Sequence, residues 1–154
     1  MKAQVTWTGP GLRMVGETID GPGIVVDSSA EAYGRHSGLS PMELVLVGLA
    51  GCTAMDVVSI MAKKRQPMTN LQVKVEAERA ETHPKVFTKL HVEYVAYGDG
   101  VDEQALLRAI QLSEESYCSV MSMLKHSAEI TSSHRIVAGP NPSLPGPIAG
   151  AGSR

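Results

Sequence analysis

The chain has 154 residues, 14 Lys plus Arg against 16 Asp plus Glu, and a formal net charge of -2. That length suits one domain able to bury roughly two-thirds of its unfolded surface, and so balanced a charge offers no broad basic face to nucleic acid or acidic lipid. Aromatic residues make up 4% and the chain holds 8 Met, so the expected core is aliphatic and padded with adaptable thioethers.

The opening "MKAQVTWTGPGL" has no unbroken apolar segment after Lys2 and no small-residue cleavage site. It does not read as a secretory signal, and the expected location is the cytoplasm. Val5 and Trp7 alternate with polar residues in "QVTWTG" (Gln4 to Gly9), which predicts a strand ended by "GPG". "LRMVGETI" (Leu12 to Ile19) and "GIVVD" (Gly23 to Asp27), split by the turn signal "DGPG", complete an antiparallel meander. A polar loop of small residues follows. Ser40 then precedes Pro41, with Glu43 three residues on, the pattern of a capping box at a helix start. A helix is predicted from about Pro41 to Lys64.

Leu44, Val45, Leu46, Val47, Leu49, Ala50, Ala54, Met55, Val57, Val58, Ile60 and Met61 make that helix apolar on nearly every side. Its stretch free of carboxylates runs only from Leu44 to Met55, 12 residues, against roughly 20 for a membrane span. The expectation is a buried central helix. Burial on all sides exceeds what two layers of this size supply, so a second subunit is expected to cover part of it. Gly48 and Gly51 each cost about 1 kcal/mol of helix propensity relative to Ala, which close approach of another backbone would explain. A homodimer follows.

"LQVKVEAERAE" (Leu71 to Glu81) and "VFTKLHVEYVAYG" (Val86 to Gly98) alternate cleanly and read as a long hairpin. Asp102 caps a surface helix with Leu106, Leu107 and Ile110 on one side. Polar residues at Glu114, Glu115 and Ser116 predict a break, placing Cys118 in the first turn of a further helix, and "AEITSSHRIVA" reads as a last strand. The expected domain is 1–138, followed by a disordered Pro/Gly-rich tail, 139–154, with four Pro and four Gly in 16 residues.

The chemistry rests on two cysteines, Cys52 and Cys118, 66 positions apart. They are too few for a disulfide framework and too separated for a metal-ligand spacing, which leaves two inert core thiols or one redox couple. His36, His83, His91, His126 and His134 show no metal-ligand spacing, and no Gly-rich nucleotide loop links a strand to a helix. Neither a metal nor a cofactor is expected.

A meander, a helix opening with "SPMELVLVGLAGC", a hairpin and a second cysteine in "SEESYCSV" together resemble the OsmC/Ohr family of thiol-dependent peroxidases. The resemblance implies an α+β, two-layer OsmC-like fold, with antiparallel sheets wrapped around a long buried central helix in an intertwined homodimer with active sites at the subunit interface. It implies that Cys52 attacks an organic hydroperoxide and Cys118 resolves the product, with an external dithiol such as dihydrolipoamide restoring both. The residue types suit that chemistry. A thiolate attacks the O–O bond and becomes a sulfenic acid, which a second thiol captures before irreversible over-oxidation. At a helix start Cys118 would gain typically 0.3–1 kcal/mol for its thiolate, whereas the apolar neighbours of Cys52 call for a cation.

The family pattern places a Glu directly after the helix-opening Pro, where it holds an N-terminal Arg beside the sulfur. Here that position is Met42, with Glu43 one further on. Nine residues separate Glu43 from Cys52, about 900° of helix, which turns Glu43 to the opposite side. Arg13 and Arg35 are both candidates for the arginine. Asp56, four after Cys52, shares its helical face and could hold the arginine or polarise a peroxide. The expected function is reduction of organic hydroperoxides. The alternative is a dimeric binding or redox-sensing protein without efficient turnover.

Overall fold

Strands β1 (Ala3–Trp7), β2 (Met14–Thr18) and β3 (Ile24–Val26) form an antiparallel sheet in chain order, with Val5 opposite Gly16 and Gly16 opposite Ile24. This computed structural model describes residues 1–142. Its contacts group into two compact units whose sequence boundary falls inside the first helix: Met1–Val47, and the residues from Gly48 onward.

In the first unit β3 is followed directly by Asp27, a buried carboxylate. It accepts from the Ser28 amide at 2.8 Å, the Arg35 amide at 3.2 Å, the Ser37 amide at 3.0 Å and the Ser37 hydroxyl at 2.6 Å. Four donors from one loop explain how a stretch of small polar residues keeps a single path. The Ser37 hydroxyl first, then the amides, hold the Asp27 carboxyl far below the usual carboxylate range. Helix α1 (Pro41–Lys63) starts where the capping box predicts. The Ser40 amide donates to Glu43 Oε2 at 2.7 Å, and the Glu43 amide donates to Ser40 Oγ at 3.3 Å. The helix stops where Arg65 turns left-handed, at φ 53, two residues before Pro67.

α1 buries Leu49, Thr53, Val57 and Met61, every fourth residue. The expectation of a helix buried on all sides is not met within one chain. A helix of 3.6 residues per turn presents only a stripe to a single neighbour, and Met55, 75% exposed, with Val45, Val47 and Val58, stays open. A β-carbon added at Gly48 or Gly51 would meet nothing within 4 Å. The 23 residues of α1 suffice by length and composition to cross a membrane, whereas the carboxylate-free count falls short.

The second unit's sheet has the order β4 (Asn70–Arg79), β5 (Phe87–Tyr97), β6 (Glu129–Val137). β4 and β5 pair antiparallel, with Val73 opposite Tyr94. The expectation of antiparallel sheets needs correction at β6, which joins β5 parallel, with Tyr94 opposite His134. Between them α2 (Glu103–Leu112) and α3 (Ser119–Leu124) return the chain to the end of the sheet where β5 began, and a helical crossover yields a parallel neighbour. Gly98, where β5 ends, has φ 146, and a β-carbon there would collide with the Pro67 carbonyl.

Flanked on both sides, β5 is buried continuously from Tyr94 to Tyr97. Asp102 Oδ1 accepts from the Ala105 amide at 2.7 Å to start α2, whose Leu106 and Ile110 are buried while Leu107 is 37% exposed. Of the expected tail, Gly139 donates to Asp99 Oδ1 at 3.0 Å and Asn141 donates to Asn70 Oδ1 at 3.1 Å. Residues 143–154 lie outside the described residues.

Candidate active site

Cys52 and Asp56 stand one turn apart on α1, so their side chains share a face. Cys118 reaches that face by another route. The break predicted after α2 is a single π turn, Ser113–Tyr117, which ends with Cys118 in extended conformation as the N-cap of α3. A π turn inside helical sequence is uncommon and often marks a functional site. The Cys52 sulfur, the Cys118 sulfur and an Asp56 carboxylate oxygen all lie within 4.8 Å of one another. Cys52 is half-buried and Cys118 is buried, both as free thiols. Residues too far apart in sequence for a ligand spacing thus converge in space.

Behind the sulfurs runs a chain of hydroxyls. Ser113 donates to Asp56 Oδ2 at 2.9 Å; Thr53 Oγ1 lies 2.8 Å from Ser113 Oγ and 2.8 Å from the Tyr94 hydroxyl; Tyr94 donates to Glu114 Oε1 at 3.2 Å. Those are four contacts among five groups. Each hydroxyl carries one proton, so with both carboxylates ionised three protons serve four contacts, and Thr53 can donate to only one neighbour. One of the four contacts therefore has no hydrogen of its own while both carboxylates are ionised.

Cys118 departs from the expected helix-start thiolate. The Met121 amide does donate to its sulfur at 3.3 Å, but burial dominates, and with Cys52 and Asp56 close by it pushes the thiol up to about 11. Burial likewise raises the Tyr94 phenol above its ordinary range, so it remains a donor at neutral pH. A shallow concavity of about 160 Å³, lined by Tyr117, Ser119 and Ser122 among others, opens against Cys118.

Of the residues singled out in sequence, the fold brings together Cys52, Asp56 and Cys118. Glu43 is engaged in the capping box, and its carboxyl is lowered chiefly by the Ser40 amide. Arg13 and Arg35 are exposed residues of the first unit, where the Arg13 carbonyl accepts from Thr8 and the Arg35 amide donates to Asp27. Sequence reading missed Thr53, Tyr94, Ser113 and Glu114. The helical phase of Thr53, between Leu49 and Val57, was the one available signal.

The profile of the OsmC-like protein family matches residues 34–133. The chain belongs to that family. Over 138 residues it is 39% identical to protein YhfA of Escherichia coli K12, covering 90% of this chain and 99% of YhfA. A crystallised hypothetical protein of Aquifex aeolicus VF5 superposes with a TM-score of 0.78 at 32% identity, over 90% of this OsmC-like chain and 97% of its own. An organic hydroperoxide resistance protein of Elizabethkingia anophelis superposes with a TM-score of 0.65 at 15% identity, over 88% and 94% of the two chains, a likeness of fold.

Proposed function

We propose that this OsmC-like protein reduces organic hydroperoxides in the cytoplasm as a homodimer, with Cys52 as nucleophile and Cys118 as resolving thiol. The observation that carries the reading is the pair of free sulfurs within 4.8 Å, one half-buried and one buried. The Cys52 thiolate attacks the outer peroxide oxygen. The O–O bond breaks, Cys52 becomes a sulfenic acid, and the leaving alkoxide takes a proton to become the alcohol. Cys118 then displaces hydroxide from that sulfenic sulfur, giving a disulfide and water. A dihydrolipoamide-like dithiol reduces the disulfide by exchange. Forming the disulfide needs the sulfurs to close to about 2.05 Å.

The remaining sequence candidates enter as parts of this proposal. Arg13, or Arg35, is the sequence candidate for the cation that the Cys52 thiolate calls for, and Glu43 caps α1. The open apolar side of α1, with room above Gly48 and Gly51, supports a second copy as its cover. Loss of cumene hydroperoxide with dihydrolipoamide tests the chemistry: wild type turns over and Cys52→Ser does not. Cys52→Ser activity equal to wild type removes the nucleophile. The engagement of Glu43 in the capping box favours a second reading, redox sensing without fast turnover, and activity absent from wild type would select it.

A further inference from the structure

Two thiols and a carboxylate within 4.8 Å of one another form a donor set as well as a redox pair. Two sulfurs and one oxygen suit a borderline-to-soft divalent ion and not a hard one such as Mg2+ or Ca2+. Around tetrahedral zinc, with about 2.3 Å to sulfur and about 2.0–2.2 Å to oxygen, ligand atoms sit about 3.5–3.8 Å apart. From a spacing of at most 4.8 Å the three donors need to draw in by no more than about 1.3 Å.

The surroundings resemble the shell that positions metal ligands. Asp56 is held through Oδ2 by the buried Ser113 hydroxyl, itself backed by Thr53 and Tyr94, and one of its carboxylate oxygens lies within 4.8 Å of both sulfurs. The Cys118 sulfur accepts the Met121 amide, a donor that steadies a metal-bound thiolate. Cys52 and Asp56 are half-buried, so the set is not closed off on every side. With an ion bound, the three ionised donors carry three negative charges, of which a divalent cation offsets two.

We propose that Cys52, Asp56 and Cys118 form a three-donor site for a thiophilic divalent cation, Zn2+ foremost. Binding one ion displaces one proton from each thiol. The ion and a Cys52–Cys118 disulfide exclude each other, so oxidation by two electrons releases the metal and reduction restores the site. The proposal goes beyond the peroxidase reading and does not require it.

The test uses the full chain, reduced and freed of metal by a chelator, then titrated with Cd2+ and Zn2+. Cd2+ is followed by its thiolate charge-transfer absorption and Zn2+ by competition with a chromophoric chelator. The expected result is one ion per chain in the reduced protein and none in the disulfide form. Either Cys→Ser variant should weaken Zn2+ at least about 100-fold, and Asp56→Asn about 10-fold or more with charge transfer retained. X-ray absorption at the zinc edge of the wild type reads the ligands without any substitution, and two sulfurs with oxygen are expected. Absence of charge transfer in wild type, Asp56→Asn binding as tightly as wild type, or a zinc shell without two sulfurs overturns the site. Metal binding without peroxide turnover upholds it while sinking the peroxidase reading, and the converse separates the two the other way.

Discussion

Ser113 on the π turn donates a 2.9 Å hydrogen bond to Asp56 on α1, and the same hydroxyl lies 2.8 Å from Thr53. This one buried side chain ties the turn that positions Cys118 to the helix that carries Cys52. Ser113→Ala leaves both partners short of a contact and is expected to cost about 1–3 kcal/mol. Urea unfolding measures the loss, and an unchanged midpoint would show that the tie contributes nothing to stability.

Thr53→Val keeps the shape of the side chain and cuts the hydroxyl chain at its middle. If the chain holds Asp56 in place beside Cys52, alkylation of Cys52 in the Cys118→Ser background should change in rate with Thr53→Val, and Tyr94→Phe should change it the same way. Identical alkylation rates for parent and variants would confine the network to stability.

Cys118 holds its proton more tightly in the fold than its ordinary value of 9.0 allows, with burial raising it to about 11. Since the folded value is the higher one, the associated stability is fully present below about pH 9 and is lost as the pH rises through about 11. The loss is at most about 2–3 kcal/mol. Wild type should therefore destabilise relative to Cys118→Ala across that interval, and parallel melting curves would refute the assignment.

Asp27 lies on the other side of the ordinary range. Its folded carboxyl is lowered, first by the Ser37 hydroxyl, so its contribution is present above the unfolded carboxylate value near pH 4 and fades as the pH falls below it. Asp27→Asn keeps the size and loses the charge that gathers four donors. Faster tryptic cleavage at Arg35 is the expected outcome, and wild-type cleavage rates would show that the loop holds without it.

Ser40→Ala removes one half of the capping box and should cost about 1 kcal/mol without altering the reactivity of Cys52. Glu43→Gln separates two roles for that carboxylate. Slower peroxide reduction with stability near wild type would add an orienting role to the cap. Equal rates would leave Glu43 a capping residue alone.

Amino-acid order alone determined the local elements, because each is announced by its own residues. Ser40, Pro41 and Glu43 start α1, alternation through Val73, Val75, Leu90 and Val92 draws the hairpin, and Asp102 caps α2. It also marked both cysteines and the carboxylate one turn from the first, since periods of 3.6 and 2 assign faces without any knowledge of neighbours. Which face meets what lay beyond it. The parallel entry of β6, the single buried stripe of α1 and the raised Cys118 thiol arise from chain segments dozens of residues apart.

Only the tertiary structure decided that Thr53, Tyr94, Ser113 and Glu114 would line up behind Asp56. Hydroxyls and carboxylates look alike in sequence whether solvated or buried. Their proton affinities and partners are set by burial and distance, which exist only once the chain has closed on itself.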